Sequence, residues 1–120
     1  MTPFGKFLRN LRLEKGLLLK DVAEMLEVTS AYLSALEHGK KGAPNAALVS
    51  KLENALNLTT EQKKELRRTA AASITSVSIP SKLNPFAYET ANAFARKLPD
   101  LSERQLRRIQ GVLEEEEDES

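Results

Sequence analysis

Cysteine and tryptophan are absent from this 120-residue chain, histidine occurs once, and aromatic residues make up only 5%. Without cysteine there is no disulfide, no thiolate zinc site and no Cys nucleophile, and the lack suits a reducing compartment. The lone histidine, His38, has neither a metal-ligand cluster nor a nucleophile motif to work with. No apolar run approaches the ~18 residues of a membrane helix. The start, Met1-Thr2-Pro3-Phe4-Gly5-Lys6, lacks the apolar stretch of a secretory signal. Phosphate loops, metal-ligand spacings and paired-carboxylate contexts are also missing, so neither catalysis nor a cofactor is expected. With so few aromatics, any core has to be aliphatic.

Apolar residues supply 41% of the chain, enough for one small domain with an appendage. The net charge of +1 conceals an uneven distribution: residues 1–72 carry +4, residues 73–113 carry +3, and residues 114–120 carry −6. A basic body with a short acidic tail permits nucleic-acid binding without proving it.

The apolar periodicity is helical throughout. Phe4, Phe7, Leu8 and Leu11 share one helix face, and Gly16 stops that helix. Val22, Ala23 and Leu26 mark a second segment. A third starts after Thr29, carries Leu33 and Leu36, and stops at Gly39. Asn45 caps a fourth helix with Leu48, Leu52 and Leu56, and Thr59 with Gln62 forms a capping box before a fifth. Residues 73–80 then turn β-branched and hydroxyl-rich, a short strand or an extended linker. Asn84-Pro85 opens a helix carrying Ala87, Ala91, Phe94 and Leu98, and Leu98-Pro99-Asp100 breaks it. Ser102 and Gln105 open the last helix, with Leu106, Ile109 and Leu113 on one stripe.

Residues 19–38 carry the main signal. Two short amphipathic segments are joined by a few residues. Ala23 is small where the two helices meet, and Leu33 and Leu36 face back into the same core. That is a helix-turn-helix pattern. It holds a short helix proud of the body, with its first turn free to enter a DNA major groove about 12 Å wide.

On these residues the chain resembles the Xre/Cro/lambda-repressor-type helix-turn-helix family. The likeness rests on the run from Phe7 to Gly16, on Asp21-Val22-Ala23-Glu24-Met25-Leu26, and on the run from Val28 to Gly39. Pro44-Asn45, Leu48 and Ala55-Leu56-Asn57-Leu58 complete it. It spans residues 4–70. It implies an all-α fold: a five-helix lambda-repressor-like DNA-binding domain over 1–72, then a short extended segment and two C-terminal helices. It also implies a dimeric, cytoplasmic transcriptional regulator of bacterial, phage or plasmid origin. Such a protein would be an (auto)repressor inserting the helix after Thr29 into a pseudo-palindromic operator in double-stranded DNA. Base contacts would fall on Ser30, Ala31, Ser34 and Ala35, with Thr29 as cap and Tyr32 beside them. Tyr32 has a second reading, as a cover for the helix edge. Phosphate contacts would fall on His38, Lys40, Lys41 and Asn45. Arg12 and Glu37 match a pair that ties the first helix to the third.

Two departures from the family pattern affect this reading. Leu18 and Leu19 replace a Ser/Thr cap and a Gln contact, so Lys20 is left to reach the phosphate. Glu27 stands where glycine is common, and a left-handed backbone there would cost it roughly 1 kcal/mol.

The module at 73–113 has stripes too small for a core of its own. It is expected to pack on the first domain or on a second copy. The homodimer interface would then use Ile74, Val77, Ile79, Phe94, Leu106, Ile109 and Leu113, with residues 74, 77 and 79 pairing as an inter-subunit strand. An alternative is an antitoxin or other interaction protein, whose C-terminal module holds a toxin or anti-repressor. The tail at 114–120 is expected to be disordered, since four Glu at a helix C-terminus oppose its dipole. It is either a solubilising end or a competitor of DNA phosphate for the basic surface.

Overall fold

A computed structural model of the chain describes residues 1–116. It is helical throughout, with no strand among the described residues. The α-helices are α1 (Pro3–Glu14), α2 (Leu19–Met25), α3 (Ser30–Glu37), α4 (Ala46–Ala55), α5 (Thr60–Ala71), α6 (Pro85–Lys97) and α7 (Glu103–Leu113). A 3-10 turn over Leu98–Asp100 separates the last two. In the single chain, residues 73–80 form irregular structure with no strand pairing. The expected break at Leu98-Pro99-Asp100 is that 3-10 turn. The last four residues of the acidic tail, 117–120, lie outside the described residues.

The helix starts follow their caps. Thr2 accepts from Gly5 N at 3.0 Å, Thr29 from Tyr32 N at 3.0 Å, Asn45 from Leu48 N at 2.8 Å and Asn84 from Ala87 N at 2.8 Å. Thr59 with Gln62 and Ser102 with Gln105 close reciprocal boxes. Leu18 has no side-chain oxygen to offer α2. Half of the box survives, because the Asp21 carboxylate accepts from Leu18 N at 2.9 Å.

The ends of α1 and α2 share one device. After α1, Leu17 N donates to Arg12 O and Gly16 N to Leu13 O, with Gly16 at φ 68°. This is a Schellman motif. After α2 the same bonds run from Val28 N to Ala23 O and from Glu27 N to Glu24 O, with Glu27 at φ 58°. Glu27 therefore occupies the left-handed position that the sequence assigns to it.

The chain forms two compact units, Met1–Val77 and a second beginning at Ser78. In the first, α1 packs on α3 and α5, α2 on α3, and α4 on α5. Phe4, Leu8, Leu11, Val22, Ala23, Leu26, Leu33, Leu36, Leu48, Leu52, Leu56, Leu58 and Leu66 make one buried cluster. A single Phe among leucines is the aliphatic core that the composition demands. Ser73, just past α5, belongs to this unit: its buried hydroxyl accepts from Phe4 N at 2.9 Å and donates to Thr69 O at 2.6 Å. In the second unit, Tyr88 donates to Pro80 O at 3.3 Å and ties the linker to α6. No residue of α6 or α7 is buried.

Candidate nucleic-acid interface

The α2–turn–α3 segment is built from the inside outward. Val22 and Ala23 of α2, its C-cap Leu26, and Leu33 and Leu36 of α3 are buried to 2% exposure or less. Ala23 is the small residue at the α2–α3 crossing. Val28, in the turn, packs against this cluster. Two polar ties fix α3 further. Arg12 Nε donates to Glu37 Oε2 at 2.8 Å and Arg12 Nη2 to Glu37 Oε1 at 3.3 Å, a bidentate pair. The Glu37 side chain is 3% exposed, so the pair locks α3 to α1 from within. Beside it, Gly5 of α1 lies so near Glu37 that a Cβ there would meet the Glu37 carbonyl oxygen at 1.9 Å. The two helices touch backbone to backbone.

The outer side of α3 carries the residues expected to face bases. Thr29, Ser30 and Ala31 are exposed, and Ser34 and Ala35 are half-buried. Ser30 and Ser34, and likewise Ala31 and Ala35, are one turn apart, so the five form a continuous strip at the first two turns of α3. Tyr32 is half-buried and packs against the core cluster. It also borders an open hollow of about 280 Å³ together with Val28, Asn45, Leu48 and Lys51. Its side chain therefore lies beside the start of α4, part packed and part open.

The phosphate-contact candidates lie at the start of α2, at the end of α3 and in the loop leading to α4. Lys20 is exposed on the first turn of α2. His38 closes α3 as its C-cap, with Nδ1 2.8 Å from Ser34 O, and is exposed. Lys40 and Lys41 are exposed in the loop that follows. Asn45 uses its side-chain oxygen to cap α4, which leaves its amide hydrogens as the donors available to a ligand. Sequence reasoning missed Lys51. Its ammonium sits 3.5 Å from Leu26 O and 3.6 Å from Glu27 Oε2, joining α4 to the turn. Nothing local in the sequence marks that pairing.

The two arginines of α5 are paired with acids. Arg67 makes a bidentate pair with Glu53 at 2.8 and 3.2 Å, and Arg68 one with Glu65 at 3.0 and 2.6 Å. The guanidinium hydrogen bonds hold both carboxylates below their ordinary pKa and raise both arginines. Ile74, Val77 and Ile79 are exposed, as are Phe94 and Leu113, while Leu106 and Ile109 are half-buried. Among the described residues no group of three or more His, Cys, Asp or Glu could hold a metal, and no helix is long and apolar enough to cross a membrane.

Residues 8–63 match the family described as Helix-turn-helix. Over 61 residues, 51% of this chain, the sequence is 38% identical to the HTH-type transcriptional regulator RghRB of Bacillus subtilis (strain 168) and covers 44% of that protein. It is 39% identical over 61 residues to the HTH-type transcriptional repressor RghR of the same organism, covering 45% of it. The match spans under half the length of either relative. No solved structure matches the chain with significance.

Proposed function

We propose, from the match of residues 8–63 to the family described as Helix-turn-helix, that this chain is a sequence-specific DNA-binding transcriptional regulator. In this reading it is a cytoplasmic, non-enzymatic repressor that acts as a two-fold dimer on a pseudo-palindromic operator. The observation that carries the reading is the strip from Thr29 to Ala35. It is polar or small, it is open to solvent at its first turn, and it stands on a helix fixed by a buried core and a buried ion pair. The relative RghR is a transcriptional repressor by name, which favours repression here.

The strip contains no Arg, Asn or Gln. Ser30 and Ser34 hydrogen-bond to several bases, and Ala31 and Ala35 touch thymine methyls. Base discrimination then leans on DNA shape and on phosphate register. Lys20, Lys40 and Lys41 supply the charge for that register, and His38 and Asn45 add further polar contacts. Three lysines per protomer predict a salt slope of roughly −5 for a dimer, about 0.9 per neutralised phosphate.

Fluorescence anisotropy with DNA from upstream of the chain's own gene, against scrambled DNA, tests this over several salt concentrations. Nanomolar saturable binding with a large advantage over scrambled DNA is expected, and Lys40→Ala should flatten the slope by about 1 per protomer. Equal, weak binding to both DNAs overturns the proposal.

A further inference from the structure

The second unit presents an apolar side that its own described residues leave open. Between α6 and α7 runs an open groove of about 840 Å³, lined chiefly by Ala91, Phe94, Leu101, Ile109, Val112 and Leu113. Val112 is 62% and Leu113 77% exposed. Isolated apolar side chains on a surface are ordinary, but a contiguous lining of this kind marks an association site.

The charges of α7 say what should lie there. Its first half carries Arg104, Arg107 and Arg108, and its C-terminal end runs into Glu114, Glu115 and Glu116. A lone helix prefers the reverse, acids at its positive N-terminus and bases at its negative C-terminus. Only Glu103 follows that preference, and it pairs with Arg107 at 2.6 Å. Arg104, Arg108 and the three C-terminal glutamates enter no ion pair among the described residues.

We propose that the groove is filled by α7 of a second copy of this chain, laid antiparallel. A two-fold axis near the middle of α7 brings the basic start of one helix to the acidic end of the other, and does so twice per dimer. It also sets the two helix dipoles head to tail. A parallel arrangement would place arginines against arginines and glutamates against glutamates. Leu106, Ile109 and Leu113 straddle the midpoint of Glu103–Leu113, so the same apolar residues serve both protomers. The charge pattern that destabilises α7 alone thus becomes its means of selecting partner and direction. This inference rests on the dimeric reading above, but its test needs no DNA.

Sedimentation equilibrium of the full chain should give twice the chain mass at micromolar concentration. The double variant V112D/L113D should give the mass of one chain, while the thermal transition of the Met1–Val77 unit, which contains neither residue, stays in place. R104E/R108E should weaken self-association by about tenfold, since four modest exposed pairs turn repulsive. Adding E114K/E115K/E116K to that chain should restore it. Three results overturn the proposal: a wild-type monomer at about 100 µM, a dimer indifferent to V112D/L113D, or a dimer indifferent to the charge inversion. The last would mean a parallel or foreign occupant. A dimer that responds to every variant yet ignores operator DNA upholds this inference and sinks the operator reading.

Discussion

Gly5→Ala puts the backbone contact between α1 and α3 to the test. A Cβ at position 5 would stand 1.9 Å from Glu37 O and 2.6 Å from Glu37 C, where real contacts begin at about 3.0 Å. The helices would have to part by about 1 Å, and the obstacle is backbone that no rotamer change can move. Phe4 and Leu8 on α1, and Leu33 and Leu36 on α3, are fully buried, so parting loosens the core on both sides. Overpacking of this kind costs about 1–3 kcal/mol, and a backbone obstacle belongs at the upper end. Against it stands the helix preference of Ala over Gly, about 1 kcal/mol in a helix interior and less in a first turn. The balance is a net loss of roughly 2 kcal/mol, or a melting temperature lower by about 10 °C in a domain this small. Gly111→Ala is the control. Gly111 lies inside α7 with nothing of its own chain within 4 Å of the added carbon, so within the chain the helix preference decides and the effect should be neutral or stabilising. Urea titrations followed by circular dichroism read both. A Gly5→Ala protein as stable as wild type would refute the reasoning, because the contact would then yield without cost.

Glu27→Gly should stabilise the first unit by up to about 1 kcal/mol, because φ 58° favours glycine and the exposed Lys51–Glu27 pair at 3.6 Å is worth little. Any loss of stability in thermal melts would show that the pair outweighs the backbone. Arg12→Ala should cost about 3 kcal/mol in chemical denaturation, since Glu37 stays buried at 3% exposure without a counter-charge. Adding Glu37→Gln should recover part of this, and a cost under about 0.5 kcal/mol would mean that the pair is not holding α3. The Glu53–Arg67 pair sets a pH dependence. Arg67 lowers the Glu53 pKa from 4.5 on folding, so its contribution is complete above pH 4.5 and fades as pH falls through the depressed folded value. The melting difference between wild type and Glu53→Gln should therefore be constant near neutrality and close in acid. A difference that does not change down to pH 3 would contradict the assignment.

Much of this architecture is written locally. Thr29, Asn45, Thr59, Asn84 and Ser102 announce helix starts because a short side-chain oxygen reaches a backbone N–H three residues on. Gly16 and Gly39 announce ends because a left-handed residue closes the last turn. The outer strip of α3 is legible for the same reason. Once Leu33 and Leu36 are assigned inward by period, Ser30, Ala31 and Ser34 have no direction left but out. What local pattern withholds is the ties between distant residues. Phe4 N reaches Ser73 across 69 positions and Lys51 reaches Leu26 across 25, and no periodicity encodes either. Gly5 looks like a poor choice for a helix until Glu37 is seen against it. Arg12–Glu37 was readable only through resemblance to a family in which that pairing recurs.

The supports of α3 therefore decide what its outer strip can do. Serine and alanine carry little chemistry of their own, and on a loosely held helix they would discriminate nothing. Held by a backbone contact, a buried bidentate pair and a leucine core, they become a surface of fixed shape, and fixed shape is what reading a groove without arginine or asparagine requires. On the DNA-binding function proposed above, sequence specificity should accordingly be more sensitive to Gly5 and Glu37, which face inward, than to replacement of Ser34 by another small residue. Measured as the ratio of operator to scrambled affinity, Gly5→Ala is expected to lose more than Ser34→Ala. The opposite order would place the specificity in the side chains of the strip itself.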